Sequence, residues 1–191
     1  MKKLALFFAL LAACVPLLAE SPRFTGLALG VYGTGGYMLG DWADIARADA
    51  GGGIALEATL VRLGAVDFGA SGRAEAARVF PNDDGLLERE TDFCATAGVF
   101  LRIPFGHFAF QPEIAYGALV HAANGKTGAR TDGVYCDQIV RASAGLRFVP
   151  PFAPRLEIEF APVYSFSPEE SHLLHKAGGR LGGVWHFSAA K

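Results

Sequence analysis

Apolar and polar residues alternate along eight segments of this chain, and this alternation limits the fold more than any other feature. In the clearest segment, residues 155–166, Leu156, Ile158 and Phe160 alternate with two glutamates. A period of two places successive side chains on opposite faces of a β-strand. Although 51% of the residues are hydrophobic, no apolar stretch beyond the N-terminal segment is long enough for a transmembrane helix. The sequence therefore predicts an all-β chain.

The eight predicted strands have lengths near those that tilted strands need to cross a bilayer. Their predicted bounds are 23–34, 52–63, 66–77, 91–103, 108–121, 134–148, 155–166 and 180–187. Long connections are predicted from residues 35, 80, 124 and 167, the first holding a short helix that begins at Asp41, and short turns near residues 64, 104 and 150. The pattern predicts an antiparallel up-and-down β-barrel with all long loops at one rim, and the short turns and both termini at the other.

One face of the predicted strands is almost entirely apolar, and the opposite face is charged. Alternation alone does not orient the faces: a membrane barrel turns the apolar face outward, and a secreted lipocalin-like binding barrel turns it inward. Aromatic residues near strand ends favour the apolar face outward. Because an eight-stranded interior is just wide enough for side chains to fill, the charged face then predicts a plugged lumen with paired charges. The predicted lumen network is Glu57, Arg73, Glu75, Arg102, Glu113, Arg141, Arg147, Arg155, Glu157, Glu159 and Arg180.

The N-terminal segment has the pattern of a secretory signal peptide. Lys2 and Lys3 precede an apolar run from Leu4 to Ala13 and a region of small residues. Cleavage is predicted before Glu20, so that residues 1–19 are removed and residues 20–191 form one barrel domain. Residues 11–14 also resemble a lipobox, which leaves lipidation at Cys14 open.

The last strand carries a second targeting feature. In Arg180 to Phe187, Trp185 and Phe187 lie on one face near the strand end, where aromatic rings favour a membrane–water interface. The octet resembles the C-terminal β-signal of bacterial outer-membrane barrels, the element that their assembly machinery recognises. The predicted assembly signal is Arg180, Gly182, Trp185 and Phe187. In that family the aromatic residue usually ends the chain, whereas here Ser188 to Lys191 follow.

Over Arg23 to Phe187 the chain resembles the small barrels of the OmpX, OmpW and OmpA-transmembrane-domain groups. The resemblance implies a bacterial outer-membrane protein with extracellular long loops and periplasmic termini. Its implied partners are outer-membrane lipid, the barrel-assembly machinery and an extracellular or host ligand bound by the loops. It implies a structural or surface-binding role. A conduit for small apolar solutes, as in the OmpW group, and a lipid A-modifying barrel enzyme remain alternatives.

The main sequence candidates for catalysis or metal binding lie in the last long connection. Glu169, Glu170, Ser171, His172 and His175 cluster there, but proximity along a solvated loop does not hold a nucleophile and base in place. We therefore predict no catalytic residue, no metal site and no cofactor.

Charge argues against a nucleic-acid partner. Without Lys2 and Lys3, 15 of the 17 basic residues remain against 19 acidic ones, a net charge of −4, and no basic cluster is present.

Cys94 and Cys136 fall near the long-loop rim, in an oxidising compartment. Two strands apart, their Cα atoms would be separated by about 9–10 Å, beyond disulfide range. A disulfide between them needs bent strands and stays open.

Overall fold

A computed structural model describes residues 26–83, 87–126, 133–168 and 173–188. The predicted signal peptide of residues 1–19, with Cys14, and the candidate residues 169–172 lie outside the described residues. The strands are β1 (Gly26–Gly40), β2 (Ala46–Leu63), β3 (Val66–Pro81), β4 (Leu87–Phe105), β5 (Phe108–Gly125), β6 (Gly133–Phe148), β7 (Leu156–Pro168) and β8 (Leu173–His186). No helix in the described part of the chain has the length and apolar composition needed to cross a membrane.

The eight strands form one closed antiparallel barrel, which confirms the predicted fold. Each strand pairs with its neighbour in the chain, and β1 pairs with β8 from Ala28↔His186 to Gly40↔Leu174. Closure leaves no sheet edge, so the backbone donors and acceptors of the first and last strands pair with each other.

The prediction of long connections at one rim is wrong where the structure describes it. Residues 35–50, predicted as a connection, mostly continue the β1–β2 ladder through Gly35↔Ala50, Gly36↔Asp49 and Tyr37↔Ala48. Only residues 41–45 join β1 to β2, and they contain the predicted short helix as a 3₁₀ helix, Asp41–Asp44. The prediction relied on the alternation of apolar and polar side chains, and glycines interrupt that alternation here. The backbone groups continue to pair, because strand pairing does not require the side chains to alternate. β3, β4 and β5 extend past their predicted ends in the same way.

The apolar face of the barrel points outward. Ile54, Ile114 and Leu181 are 55%, 58% and 61% exposed, whereas Arg147 and Glu157 are 1% and 0% exposed. Further exposed apolar residues form a band around the barrel: Leu27, Leu29, Val31, Leu56, Phe93, Val99, Leu101, Tyr116, Leu146, Ile158, Phe160 and Trp185. An apolar band of this extent requires lipid contact. The lipocalin-like alternative is therefore wrong, because such a barrel turns its apolar face inward.

Aromatic rings mark the short-turn end of this band. Phe105 and Phe108 stack with ring centroids 6.0 Å apart, and Phe108 lies 5.1 Å from Phe148. All three lie at strand ends beside a short turn, where the aromatic girdle of a membrane barrel meets the headgroups.

The outer face gives a depth-dependent prediction. Ile114 pairs with Val99 and Ala142 in the middle of the band, whereas Ile158 pairs with Phe148 at the aromatic girdle. We expect Ile114→Arg to lower the free energy of unfolding in lipid vesicles by about 2–4 kcal/mol, and Ile158→Arg by about 0–1 kcal/mol. Ile158→Arg thus serves as the control for Ile114→Arg, because the side-chain change is the same and only the depth differs. Equal losses at both sites would contradict this membrane position.

Candidate functional site

The lumen is filled by arginines held between glutamates from different strands. At its centre the side chain of Arg147 is fully buried and contacts three carboxylates. Its Nη1 and Nη2 atoms donate to Glu57 at 2.7 and 2.6 Å, Nη1 lies 3.3 Å from Glu157, and Nη2 also pairs with Glu159. These contacts join β2, β6 and β7 across the barrel.

Arg73 and Arg180 extend this network to the other side of the lumen. Arg73 Nη2 lies 2.9 Å from Glu57 and 2.7 Å from Glu113, and Ser71 donates to Glu113 at 2.6 Å. Arg180 Nε donates to Glu159 at 2.6 Å, and its Nη2 lies 3.5 Å from Glu113. A ring of alternating charges thus links β2, β3, β5, β6, β7 and β8, and each buried cation has carboxylate partners.

Tyr32 supports this ring from β1. The Arg73 and Arg180 guanidinium carbons lie 5.6 and 5.4 Å from its ring centroid, a cation–π geometry. Gly182 makes room for it, because a Cβ there would lie 2.6 Å from the Tyr32 Cβ atom. Packing against Tyr32 therefore also explains why position 182 of the predicted assembly signal is a glycine.

Two further pairs lie at the ends of the ring. Toward the short turns, Glu157 pairs with Arg102 and, at 2.8 Å, with His186. Toward the other rim, Glu75 pairs with Arg141.

Little space is left between these side chains. A cavity lined by Glu75, Arg141 and Lys176 has a volume of about 10 Å³, and one lined by Tyr32 and Glu159 is equally small. Each volume holds about one water molecule. Neither cavity admits a larger solute.

The structure places every residue of the predicted lumen network inside the barrel except Arg155. Arg155 is exposed in the turn of residues 149–155, so its predicted place in the network is wrong. The physical reason is that β7 begins only at Leu156, and strand alternation does not orient a turn residue.

Sequence reasoning missed the buried pair Asp49 and Lys176, because both were assigned to long connections. The sequence did contain a signal for this pair. Asp49 is separated from Glu57, and Lys176 from Arg180, by an even number of residues, which places them on the same face of a strand. Continuing the alternation through the glycines would have placed both inside.

Cys94 and Cys136 do not form the disulfide that the sequence left open. Both thiols are free, that of Cys94 buried and that of Cys136 exposed. Cys94 pairs with Leu119 and Cys136 with Val120, on opposite sides of β5. The intervening strand and the opposite orientations keep the sulfurs apart.

An apolar layer closes the lumen beyond the charged ring. Trp42, in the 3₁₀ helix between β1 and β2, is 3% exposed and folds into the mouth of the barrel. Its buried apolar cluster contains Met38, Ala46, Val79, Cys94, Leu119, Ile139 and Leu174. We term this rim, where the 3₁₀ helix lies, the outer mouth.

A histidine and three carboxylates lie beside Trp42 at the outer mouth. His121 Nδ1 lies 2.8 Å from both Glu90 Oε1 and Asp92 Oδ1, and its Nε2 lies 3.3 Å from Asp137 Oδ2. The imidazole contacts the Trp42 ring edge-on, with centroids 5.8 Å apart. The ligand atoms of Glu90, Asp92 and His121 lie within 4.8 Å of one another, so these residues could hold a metal ion.

This cluster lies beyond the part of β5 that spans the membrane. A strand crosses the bilayer in roughly 9–11 residues, so β5, which begins at Phe108, has crossed it before His121. Burial opposes a charge on the imidazole, but the hydrogen bonds to Asp92 and Glu90 outweigh it and raise the pKa of His121 to about 10. Sequence reasoning missed the cluster because its residues come from three strands.

Comparison with known proteins gives structural matches. No known family's sequence model matches this chain, and neither does any curated protein sequence. Ail, the attachment invasion locus protein of Yersinia pestis, matches with a TM-score of 0.54 at 17% identity, over 85% of this chain and 99% of Ail. Neisserial surface protein A matches with a TM-score of 0.55 at 9% identity, over 86% of this chain and 99% of that protein.

This chain has the fold of a small outer-membrane β-barrel protein. A third matching structure is Ail in complex with the heparin analogue sucrose octasulfate, with a TM-score of 0.56 at 12% identity, over 85% of this chain and 99% of Ail. At these identities the matches establish the barrel fold.

The lumen of this outer-membrane-type barrel gives a stability prediction. Glu159→Ala should leave Arg147 and Arg180 short of an acceptor and lower the free energy of unfolding by about 3–5 kcal/mol, because it leaves buried charge uncompensated. The control is Glu88→Ala, which removes an exposed carboxylate of β4. Urea unfolding in detergent micelles measures both. Equal midpoints for the two variants would show that the Glu159 contacts contribute nothing.

Proposed function

We propose that this protein is a bacterial outer-membrane barrel with a structural or surface-binding role. The observation that carries the proposal is the apolar outer face around a closed lumen of paired charges. The outer face suits lipid, and the lumen leaves the strand ends as the surfaces open to partners. In this proposal the signal peptide, residues 1–19, is removed before Glu20, and residues 20–191 form the membrane domain.

The short turns and both termini face the periplasm in this proposal, and the outer mouth faces the outside of the cell. Support comes from the last strand, which resembles a β-signal and closes the barrel against β1. Trp185 and Phe187 are 47% and 58% exposed on the lipid side, while Arg180 and Gly182 point into the lumen. The exposed aromatic pair suits recognition by the barrel-assembly machinery before insertion.

The proposal does not include solute transport. The alternative of a conduit for small apolar solutes needs an apolar passage, whereas the buried side chains midway along this lumen are charged. The cavities there hold about one water each.

The proposal does not include catalysis either. A lipid A-modifying enzyme of the Ser–His kind needs a serine within hydrogen-bond reach of a histidine. In the described part of the chain, Ser71 donates to Glu113 and Ser167 to the Gln138 carbonyl, and the His121 partners are carboxylates. Ser171 and His172 lie outside the described residues.

Outer-leaflet lipid is the partner that the outer surface supports best. Arg78 and Arg89 are exposed near the outer mouth and, with Glu88 and Asn124, line a groove of about 410 Å³. Arginines at this height can pair with lipid phosphates. The Ail complex with sucrose octasulfate shows a related fold holding a polyanion, which also supports an anionic extracellular or host ligand as a second candidate.

Surface labelling tests the orientation. In a Cys136→Ser background, which leaves only the buried thiol of Cys94 among the described cysteines, Asp83→Cys and Phe152→Cys place a thiol at opposite rims. The side chain of Asp83 is 86% exposed and Phe152 is 88% exposed, so the two sites are matched in access. A maleimide too bulky to cross the outer membrane should label intact cells only at residue 83. Labelling only at residue 152 would reverse the orientation.

Vesicle swelling tests the closed lumen. Lipid vesicles that contain the folded barrel should swell in small sugars no faster than empty vesicles, because paired side chains fill the lumen. Heat-modifiable migration confirms that the inserted protein is folded. Swelling as fast as that of vesicles with a general-diffusion porin would contradict a closed barrel.

A further inference from the structure

We propose that Glu90, Asp92 and His121 form a binding site for one divalent metal ion of the zinc class at the outer mouth. Two carboxylates and an imidazole are ligands that Zn²⁺ accepts in tetrahedral sites with a fourth position for water. The site is distinct from the arginine–glutamate ring and does not depend on the proposed surface-binding role.

The ligand atoms are already close to a coordination geometry. His121 Nδ1 lies 2.8 Å from Glu90 Oε1 and from Asp92 Oδ1. Ligand atoms about 2.0–2.2 Å from a tetrahedral Zn²⁺ lie roughly 3.3 Å from one another. The side chains therefore need to spread by only about half an ångström to admit the ion.

The charge of the cluster calls for a cation. Glu90, Asp92 and Asp137 surround a single imidazole, and among the described residues their ion pairs go to His121 alone. The side chains of Glu90, Asp92 and His121 are at most 8% exposed, so water compensates little of the excess negative charge. Elsewhere in the described lumen, carboxylates such as Glu57, Glu159 and Asp49 pair with arginine or lysine.

Asp92 Oδ2, a buried polar atom of the cluster, lacks a hydrogen-bond partner in the described part of the chain. The Asp92 side chain is more than nine-tenths buried, and its other oxygen already faces the imidazole. Such an atom is rare in folded proteins and calls for an explanation. A metal ion between the carboxylates and Nδ1 would give the Asp92 carboxylate a cationic partner.

Asp137 supplies the outer partner that a metal-binding histidine requires. Its Oδ2 atom lies 3.3 Å from His121 Nε2, on the side of the ring opposite Glu90 and Asp92. A ligating histidine usually donates its other N–H to a carboxylate, which leaves the lone pair on the nitrogen that faces the metal. The Asp137 side chain is 22% exposed, so the cluster has a path to solvent at the rim.

Zinc titration of the detergent-folded barrel tests the site. We expect one Zn²⁺ per barrel by calorimetry, no saturable binding by His121→Ala, and an affinity about 10–100-fold lower for Asp137→Asn. The matched control is His175→Ala, which removes a histidine that contacts Tyr164 and lies outside the cluster. This control should bind as wild type does. Wild-type binding that persists in His121→Ala, or that is lost in His175→Ala, would overturn the proposal.

A second readout covers the case in which a variant folds poorly. Trp42 touches the His121 ring, so paramagnetic Cu²⁺ should quench its fluorescence at one equivalent in a Trp185→Phe background. Asp92→Asn keeps the shape of the side chain and should shift that quenching to at least tenfold higher Cu²⁺. Heat-modifiable migration confirms folding of each variant. Absence of quenching in the folded Trp185→Phe protein would show that the cluster is only a buried ion-pair network.

Discussion

Pairing between β1 and β8 is the constraint on which the rest of the structure depends. In lipid no water satisfies an exposed backbone donor or acceptor, so a sheet can span a membrane only if it closes on itself. The ladder from Ala28↔His186 to Gly40↔Leu174 achieves this closure. Once the sheet is closed, every side chain points either to lipid or into a narrow lumen. In the middle of the barrel, the apolar side chains therefore face lipid and the charged side chains fill the lumen.

The narrow lumen then determines how charge is held inside. Eight strands leave room for side chains and little else, so buried arginines need carboxylates from several strands at once. Arg147 has Glu57, Glu157 and Glu159 as partners, drawn from strands on different sides of the barrel. The ion pairs thus cross-link the wall as well as fill the interior, and this double role accounts for the very small cavities.

The outer mouth is built on different chemistry from the middle of the lumen. Trp42 closes it with an apolar layer, and the neighbouring carboxylates form their ion pairs with His121 alone among the described residues. If these carboxylates served only stability, we would expect them to pair with arginines, as the glutamates in the middle of the lumen do. This difference is why we propose a structural role for the closed middle of the lumen and a binding role for the outer mouth.

The alternation of side chains by itself determined the strands, their number and the placement of Ile158 and Glu157 on opposite faces, because a period of two is a local property of a β-strand. It did not determine where strands end: residues 35–40 and 46–50 continue the backbone pairing through a stretch in which glycines interrupt the side-chain alternation. It also misplaced Arg155, which lies in a turn. Only the tertiary structure decided which charges meet, since Arg147 and Glu57 are distant in the chain. The register Asp92↔His121 likewise brings the outer-mouth cluster together, because contacts between strands depend on pairing that no single segment encodes.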